Sequence, residues 1–263
     1  MPESRTHRPL AEALAASRAA VAFSGAGIST ESGIPDFRSP GGVWTRYDPR
    51  EFTFSKYVAD PGVRRKAWQM RREFWASDHQ PNAAHRALAV LERAGRLRGV
   101  VTQNIDGLHQ AAGSSRVVEL HGTSRDVMCV GATPRVGTPD GCGWTGPTRW
   151  AFEAIDQGVE DPPCPECGGI VKSATVSFGQ NLFPGVLEEA TALVEEADLL
   201  LAVGSSLQVY PAAGLPELAA STGIPVVIVN AEPTPLDHLA AVVARGKAGA
   251  LLPPAVEAAL EPV

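Results

Sequence analysis

A short apolar run followed at once by a tight glycine turn is the feature that most limits how this chain can fold. Residues 19–23, Ala-Ala-Val-Ala-Phe, predict a buried strand, and Ser24-Gly25-Ala26-Gly27 predicts the turn after it. Helical patterns separate this run from four similar ones, at residues 100–102, 116–120, 199–203 and 226–229. Apolar strands that alternate with helices favour an α/β fold, a doubly wound parallel sheet buried on both faces.

The predicted helices cover residues 12–19, 83–94, 187–197, 212–221 and 235–243. Asn82 is expected to cap the second of these helices, and Gly95 is expected to end it. Two stretches interrupt the alternation of strands and helices. Residues 38–78 are rich in aromatic side chains, Arg and Gly, and residues 127–172 contain all four cysteines. Both are interpreted as insertions between sheet strands that pack together as a smaller second lobe.

The charge balance excludes some classes of protein. The 263 residues include 23 Lys and Arg against 29 Asp and Glu, a formal net charge of −6, whereas a general nucleic-acid binder would show a basic excess. No apolar stretch approaches the roughly 18–20 residues of a membrane span. We therefore expect no nucleic-acid partner, no membrane partner and a soluble, cytoplasmic chain. In a reducing compartment, cysteines predict metal ligands or free thiols rather than disulfides.

The cysteines form a pattern of their own. Cys164-Pro165-Glu166-Cys167, followed by two glycines, is typical of a zinc knuckle in which two thiolates hold one ion. A looser pair, Cys129 and Cys142, has twelve residues between its members. Together Cys129, Cys142, Cys164 and Cys167 predict a closed, structural zinc site. The alternative is a redox pair, Cys164 and Cys167, with two unrelated thiols.

The glycine turn by itself indicates nucleotide binding only weakly. Gly25-Ala26-Gly27 stands where a dinucleotide phosphate turn would lie, but Thr30 replaces its third glycine. The chain continues through Gly33 to Asp36-Phe37-Arg38, where the Arg can pair with a pyrophosphate and the Phe can cover a ring. A capped loop with a salt bridge is the alternative interpretation of the same residues.

Taken in order, the motifs of this chain resemble the signatures of the sirtuin family of NAD-dependent protein deacylases. The resemblance spans about residues 15–250. The matching segments are Gly25-Ala26-Gly27-Ile28-Ser29 with residues 33–38, Thr102-Gln103-Asn104-Ile105-Asp106-Gly107-Leu108-His109, His121-Gly122, the cysteine module, Val176-Ser177-Phe178-Gly179-Gln180, Gly204-Ser205-Ser206-Leu207 and Asn230-Ala231-Glu232.

This resemblance implies one catalytic core. A large Rossmann-like lobe would comprise residues 1–38, 79–126 and 173–263, and a small lobe would combine a helical insertion, 39–78, with a zinc ribbon, 127–172. NAD would be a co-substrate and zinc a structural ion. The oxygen of an acyl-lysine side chain would attack C1′ of the nicotinamide ribose, nicotinamide would leave, and the acyl group would end on 2′-O-acyl-ADP-ribose. The expected partners are acyl-lysine proteins.

The resemblance also assigns roles to individual residues. His121 would be the general base acting on a ribose hydroxyl, a role that suits imidazole near neutral pH. Asn104 and Asp106 would read the nicotinamide carboxamide, because they offer the donor and acceptors that an amide requires. The substrate peptide would meet Val176, Phe178 and Gly179. The residues expected to bind NAD are Gly25, Ala26, Gly27, Asp36, Phe37, Arg38, Gln103, Asn104, Ile105, Asp106, Gly204, Ser205, Ser206, Asn230, Ala231 and Glu232.

Several residues also have simpler interpretations. Asn104 and Asp106 can serve as turn formers that cap the next helix. His85 and His109 are interpreted as packing or surface residues. Trp68, Phe74 and Trp75 are interpreted as core of the small lobe. The basic residues 64–66 and 71–72 are interpreted as a solvated helix face.

Two departures from the family pattern bear on zinc and on acyl choice. Ala132 stands where a short first cysteine pair would be completed, so the zinc site depends on Cys142. Desuccinylating members carry Tyr-x-x-Arg, whereas this chain has Trp68-Gln69-Met70-Arg71. We therefore expect acetyl or another neutral acyl group to be favoured over succinyl. Protein ADP-ribosyl transfer, NAD-dependent oxidoreduction and non-enzymatic NAD binding are the competing functions.

Overall fold

The computed structural model describes residues 8–37, 41–45, 48–51, 53–75, 77–132 and 141–261. Its strands are β1 (Ala20–Ser24), β2 (Leu97–Thr102), β3 (Val117–Glu119), β4 (Gly122–Gly131), β5 (Thr145–Pro147), β6 (Ile170–Thr175), β7 (Leu199–Val203), β8 (Val226–Asn230) and β9 (Val242–Arg245). Its α-helices are α1 (Arg8–Ala16), α2 (Phe54–Ala59), α3 (Pro61–Trp75), α4 (Ala83–Arg93), α5 (Leu108–Ala111), α6 (Thr148–Asp156), α7 (Val186–Glu195), α8 (Gly214–Ser221) and α9 (Ala248–Leu260).

The larger sheet has the strand order β3-β2-β1-β7-β8-β9, and every pair in it is parallel. Counted within this sheet, the order is 3-2-1-4-5-6, that of dinucleotide-binding folds. The order reverses between β1 and β7, and ligands of such sheets bind outside the carboxyl ends of the strands at that reversal. Ser24 pairs with Thr102 on one side and with Val203 on the other, so these three strands end level with one another.

Both faces of this sheet are covered by helices, as the apolar strands predict. All five residues of β1 are buried. Ala20 and Ala22 pack in one core with α1, α4 and α9. Val21 and Phe23 point the other way, into a second core with α7 and α8. The predicted doubly wound fold is therefore confirmed.

A second, antiparallel sheet has the order β5-β4-β6. Its core combines Trp68 of α3 with Val127, Cys129 and Val171 from the sheet. Trp68 is 2% exposed, so its predicted place in the small core is confirmed. The lobe boundaries stay a prediction, and β4 and β6 each run across one of them.

The capping prediction for α4 is correct. The Asn82 side chain accepts hydrogen bonds from the N–H groups of Ala84 and His85, and Gly95 follows the helix at φ +70°. The N-terminal helix was placed too late, since α1 ends at Ala16. Beyond it, the N–H groups of Arg18 and Ala19 donate to the Asp198 carboxylate and leave the helical pattern.

The helix predicted over residues 235–243 is wrong. A short 3₁₀ turn, Asp237–Leu239, comes first, and β9 then pairs parallel with β8. The β-branched Val242 and Val243 favour a strand, and the sheet edge supplies their backbone partners. The sequence interpretation also missed α9, which contains Pro253 and Pro254. Among the described residues, no helix has the length and apolar character of a membrane span.

Candidate active site

A cleft of about 1510 Å³ lies along the carboxyl ends of the parallel strands. Each of the six strands contributes a residue at or just beyond its end: His121, Gln103, Gly25, Gly204, Asn230 and Gly246. The opposite wall includes Met70, Arg71 and Phe74 of α3. Phe74, predicted as core of the small lobe, therefore faces the cleft. The cleft thus lies at the strand reversal, where the fold predicts a ligand.

Every described residue that was predicted to bind NAD or substrate lines this cleft. Arg38 lies outside the described residues. From the first part of the chain these are Gly25, Ala26, Gly27, Asp36 and Phe37. The others are Gln103, Asn104, Ile105, Asp106, His121, Val176, Phe178, Gly179, Gly204, Ser205, Ser206, Asn230, Ala231 and Glu232.

The glycine turns after β1 and β7 touch each other through their backbones. The N–H of Gly27 donates to the carbonyl of Gly204 across 2.8 Å. A Cβ on Gly27 would lie 2.7 Å from that carbonyl oxygen, and one on Gly204 would lie 2.2 Å from the nitrogen of Ile28. Gly204 also has φ +59°, in the left-handed region. Only glycine at positions 27 and 204 therefore allows the two turns to pack this closely, and their backbones line the cleft.

A compact polar cluster joins Ser29, Asn104 and Asp106. The Ser29 hydroxyl donates to Oδ2 of Asp106 across 2.7 Å, and the Asn104 side-chain amide donates to the Ser29 oxygen across 3.2 Å. That amide also donates to the carbonyl of Gly25, and Asn104 is 9% exposed. Oδ1 of Asp106 accepts from the N–H of Leu108, the first residue of α5, so Asp106 holds the start of that helix as expected. The Asn104 side chain, for which the same role was considered, does not reach it.

Ser29 belongs to the site although the sequence interpretation gave it no role. Its place in the Gly-Ala-Gly-Ile-Ser segment was the available signal, since a hydroxyl just beyond a glycine turn can reach a neighbouring loop. Lys247 was missed as well, because it follows β9, which was taken for helix; Lys247 also lines the cleft. Asn230 donates to the carbonyl of Glu232 across 2.8 Å, which closes that turn.

His121 lies just before β4 and is half-buried. Its Nδ1 is 2.9 Å from the carbonyl oxygen of Gln103. A carbonyl can only accept, so Nδ1 carries the proton and Nε2 is the basic nitrogen of the neutral ring. Burial lowers the pKa of His121, and the bond to Gln103 opposes that change. A neutral imidazole of fixed tautomer is suited to accept a proton.

Gln103 bridges two parts of the cleft. Its main-chain N–H donates to the Ser24 carbonyl, and its side-chain amide donates to Oγ of Ser205 across 2.9 Å. The Ser205 oxygen also accepts from the N–H of Leu207. These bonds tie the loop after β2 to the loop after β7, so His121 and the second glycine turn are held by the same residue.

The segment from Val176 to Gly179 forms the edge of the cleft. The N–H of Val176 donates to the carbonyl of His121 across 2.9 Å. Phe178 is 51% exposed, and its carbonyl accepts from the N–H of Phe54. A Cβ on Gly122 would lie 2.1 Å from the Ala174 carbonyl, so glycine beside His121 permits this close packing.

The four cysteines meet at one point of the small lobe. Their sulfur atoms all lie within 4.8 Å of one another. Sγ of Cys129 is 3.5 Å from that of Cys167, and Sγ of Cys142 is 3.6 Å from that of Cys164. A tetrahedral zinc ion with Zn–S bonds of about 2.3 Å separates its sulfurs by about 3.8 Å. The four sulfurs therefore fit a zinc ion. The alternative of a redox pair with two unrelated thiols is wrong, because all four sulfurs meet.

The long spacing of the first cysteine pair has a structural explanation. Gly141 lies against the backbone of Cys129, where a Cβ would be 2.0 Å from the Cys129 carbonyl oxygen. Gly141 therefore lies beside Cys129, and the next residue, Cys142, joins the cluster. Cys142, not Ala132, completes the cluster.

The predicted solvated arginine face of α3 is wrong in two places. Arg64 is buried; its Nε donates to Asp161 across 2.7 Å, and its Nη1 donates to the carbonyls of Tyr57 and Val58. Arg71 lines the cleft, and its Nη2 donates to Oγ1 of Thr175 across 3.1 Å. The partners of these two guanidinium groups lie outside α3, so the helical pattern of α3 does not reveal them.

The family model described as "Sir2 family" matches residues 25–211, a range that contains both glycine turns, His121 and all four cysteines. The chain belongs to the Sir2 family. This confirms the sirtuin resemblance of its motifs. A curated relative from Streptomyces coelicolor, NAD-dependent protein deacetylase 2, is 50% identical over 235 residues, which cover 88% of this chain and 93% of the relative.

Solved Sir2 structures share the architecture. One, described as the structural basis for the mechanism and regulation of Sir2 enzymes, has a TM-score of 0.86 and 43% identity, and covers 97% of this chain and 98% of its own. A Sir2 variant solved with a deacetylated p53 peptide and 3′-O-acetyl ADP ribose has a TM-score of 0.82 and 34% identity, and covers 95% of this chain and 96% of its own.

Proposed function

We infer that this chain is an NAD-dependent protein lysine deacylase, and that it acts mainly as a deacetylase. It transfers the acyl group of a modified lysine to ADP-ribose and releases nicotinamide. The observation that carries this function is the meeting of His121, Asn104 and Asp106 with both glycine turns in a single cleft. The deacetylase relative and the Sir2 structure with acetyl-ADP-ribose support the same reaction.

His121 supplies the proton acceptor. Its Nδ1 is occupied by the Gln103 carbonyl, so a ribose hydroxyl of NAD would give its proton to Nε2. A hydroxyl that loses its proton becomes the nucleophile that takes the acyl group. The expected product is 2′-O-acyl-ADP-ribose; the related structure holds the ester at the neighbouring 3′ oxygen.

Asn104 and Asp106 would hold the nicotinamide end of NAD. Ser29 restrains both, because it accepts from Asn104 and donates to Asp106. An amide and a carboxylate held this close offer a donor and acceptors to a carboxamide. The backbone at Gly25, Gly27 and Gly204 would admit the pyrophosphate, and Asn230 with Glu232 would meet the adenine ribose.

The acyl preference follows from Trp68 and Arg71, which stand where desuccinylating members have Tyr and Arg. Trp68 is buried in the small core and does not line the cleft. Arg71 does line it, but Arg71 is hydrogen-bonded to Thr175. An acyl carboxylate would therefore meet one guanidinium group with no phenolic partner, and acetyl or another neutral acyl group would be the better substrate.

The expected partners are proteins that present an acyl-lysine in an extended segment beside Val176, Phe178 and Gly179. Peptide-bound Sir2 structures support a protein substrate. A cytoplasmic location and the absence of a nucleic-acid or membrane partner remain predictions from charge and composition.

The test is mass spectrometry of the enzyme with NAD and matched acetyl-lysine and succinyl-lysine peptides, with His121→Ala as the control. NAD-dependent loss of acetyl with formation of O-acetyl-ADP-ribose, absent in the variant, is the expected result. Labelled ADP-ribose left on protein would indicate a transferase, and NADH would indicate an oxidoreductase. Intact NAD and unchanged peptides would contradict catalysis and favour a binding protein.

A further inference from the structure

A row of buried polar side chains lies behind the cleft, between the start of α4 and the loop after β2. It comprises Asn82, His85, His109, Ser24 and Thr102, whose exposed fractions are 8%, 0%, 1%, 0% and 2%. None of these five lines the cleft. Buried polar groups are costly unless they are hydrogen-bonded, so their partners decide what this row does.

The tautomer of His85 follows from its contact with Asn82. The main-chain N–H of Asn82 donates to Nδ1 of His85 across 3.4 Å, within the capping box of α4. Nδ1 is therefore an acceptor, and the proton of the neutral ring is on Nε2. The Asn82 side chain also donates to the carbonyl of Ile28 across 2.7 Å, which joins this end of the row to the first glycine turn.

The tautomer of His109 follows in the same way from Ser24. The Ser24 hydroxyl donates to Oγ1 of Thr102 across 2.8 Å, so its oxygen is available as an acceptor. Nε2 of His109 lies 2.8 Å from that oxygen and must be the donor. Nδ1 of His109 is then an unprotonated acceptor.

The two nitrogens that remain are complementary. Nε2–H of His85 is a donor and Nδ1 of His109 is an acceptor; both are buried, and neither has a partner among the described residues. The two ring centroids are 4.9 Å apart, and the rings meet edge to face. This ring contact joins the Asn82 end of the row to the Thr102 end.

The row ends on the residue that is proposed to read the carboxamide. Oγ1 of Thr102 accepts a second hydrogen bond, across 3.0 Å, from the main-chain N–H of Asn104. The Asn104 side chain then extends to Gly25 and Ser29 at the cleft. A substitution of His109 would therefore affect Asn104 through the hydroxyl groups of Ser24 and Thr102.

Burial keeps both rings neutral. It lowers the pKa of His85 to about 4, against a smaller opposing effect of Asp106 and with a further lowering by Arg86. It lowers the pKa of His109 to about 3, and His85 adds to that change. A neutral imidazole has one donor and one acceptor, which is what a directional row requires.

We propose that His85 and His109 are positioning residues for the nicotinamide end of NAD: a buried histidine pair of fixed tautomers that sets the main chain of Asn104 through Ser24 and Thr102. This inference rests on the proposed function, because it needs Asn104 to contact the carboxamide. Neither histidine touches the substrates.

The test compares two ligands that differ at the nicotinamide. NAD carries it and ADP-ribose does not, so we measure the KM for NAD, the inhibition constant of nicotinamide and the Kd of ADP-ribose for wild type, His109→Phe and His109→Gln. We expect His109→Phe to raise the KM for NAD and the inhibition constant of nicotinamide by about tenfold, since one hydrogen bond is worth roughly that factor. The Kd of ADP-ribose should stay within about twofold of the wild-type value. His109→Gln retains an N–H for Ser24 and should recover most of the loss.

A matched control separates positioning from general loss of stability. Leu91→Ala removes a buried side chain from the same helix as His85 without touching the row. It should lower the melting temperature and leave the ratio of NAD to ADP-ribose affinity unchanged. If His109→Phe changes both affinities equally, or neither, the positioning role is overturned. A wild-type enzyme that binds neither ligand would instead overturn the proposed function, and this inference with it.

A measurement on the wild type keeps the test decisive if His109→Phe does not fold. Long-range proton–nitrogen spectra report which nitrogen of each histidine carries the proton. We expect both buried rings to be neutral at pH 7, each with its proton on Nε2. A charged ring, or a proton on Nδ1 of His109, would break the row and overturn the proposal.

Discussion

His121 donates through Nδ1–H to the main-chain carbonyl of Gln103 across 2.9 Å, and Gln103 in turn donates through its side chain to Ser205. The loop after β2 therefore orients the proposed base and also holds the loop after β7. Nε2 is the nitrogen that remains for proton transfer. The pH dependence of catalysis follows from this arrangement.

The acid limb of kcat/KM should lie below pH 6.5. Burial lowers the pKa of His121 from its ordinary value, so the ring stays neutral and basic at a lower pH than a free imidazole does. Rates of NAD-dependent deacetylation between pH 5 and 8 measure the limb. His121→Ala should reduce kcat by about 10² or more, and substitution of the exposed His238 by Gln should leave the profile unchanged. A limb above pH 6.5 would contradict the assignment.

Gly204→Ala should abolish detectable NAD binding and lower the melting temperature. Its Cβ would lie 2.2 Å from the nitrogen of Ile28, and alanine would be strained at φ +59°. Calorimetric titration with NAD and a thermal melt measure the two effects. Gly214→Ala is the matched control, because a Cβ there meets nothing within 4 Å and alanine favours the helix that begins at that residue. Equal behaviour of the two variants would show that the packed turns are not required.

Cys142→Ser should release the bound metal. The other three sulfurs cannot close a tetrahedral site, and a zinc site that has lost a thiolate binds far more weakly. Elemental analysis should find one zinc per wild-type chain and much less in the variant, with a lower melting temperature. Thr145→Ala, a change at an exposed residue three positions after Cys142, should retain the metal. Full zinc content in Cys142→Ser would show that Cys142 is not a ligand.

The parts of the fold that were predictable from the sequence are those with a local cause. The β1 run is apolar because both of its faces are buried, and Asn82 caps α4 through groups two and three residues away. The missed strand β9 depends on pairing with β8, and the early end of α1 depends on Asp198, far along the chain. Such partners lie outside any local window.

The same distinction applies to the candidate site. Gly25, Gly27, Gly204 and His121 stand in short ordered motifs, and all four line the cleft. The role of Ser29 depends on Asn104 and Asp106, which approach it only when β1 and β2 pair. The burial of Arg64 depends on Asp161, ninety-seven positions away. These contacts are tertiary, so residue type and spacing did not reveal them.

Acid should destabilise this protein through its buried histidines, and His109→Phe should weaken that dependence. Folding lowers the pKa of His85 to about 4 and of His109 to about 3, below the ordinary 6.5 of the unfolded chain. Between those values the unfolded state binds more protons, so the free energy of unfolding decreases as pH falls below about 6.5. A histidine fully in this range contributes about 1.4 kcal/mol per pH unit.

Urea denaturation between pH 4.5 and 7.5 measures this dependence. Relative to wild type, His109→Phe should have a shallower slope below about pH 6, by about 1 kcal/mol per pH unit, whatever its stability at pH 7.5. Leu91→Ala, which removes buried apolar side-chain atoms and no titratable group, should retain the wild-type slope. Identical slopes for wild type and His109→Phe would mean that His109 titrates alike in the folded and unfolded states. That result would contradict the lowering of its pKa by burial beside His85.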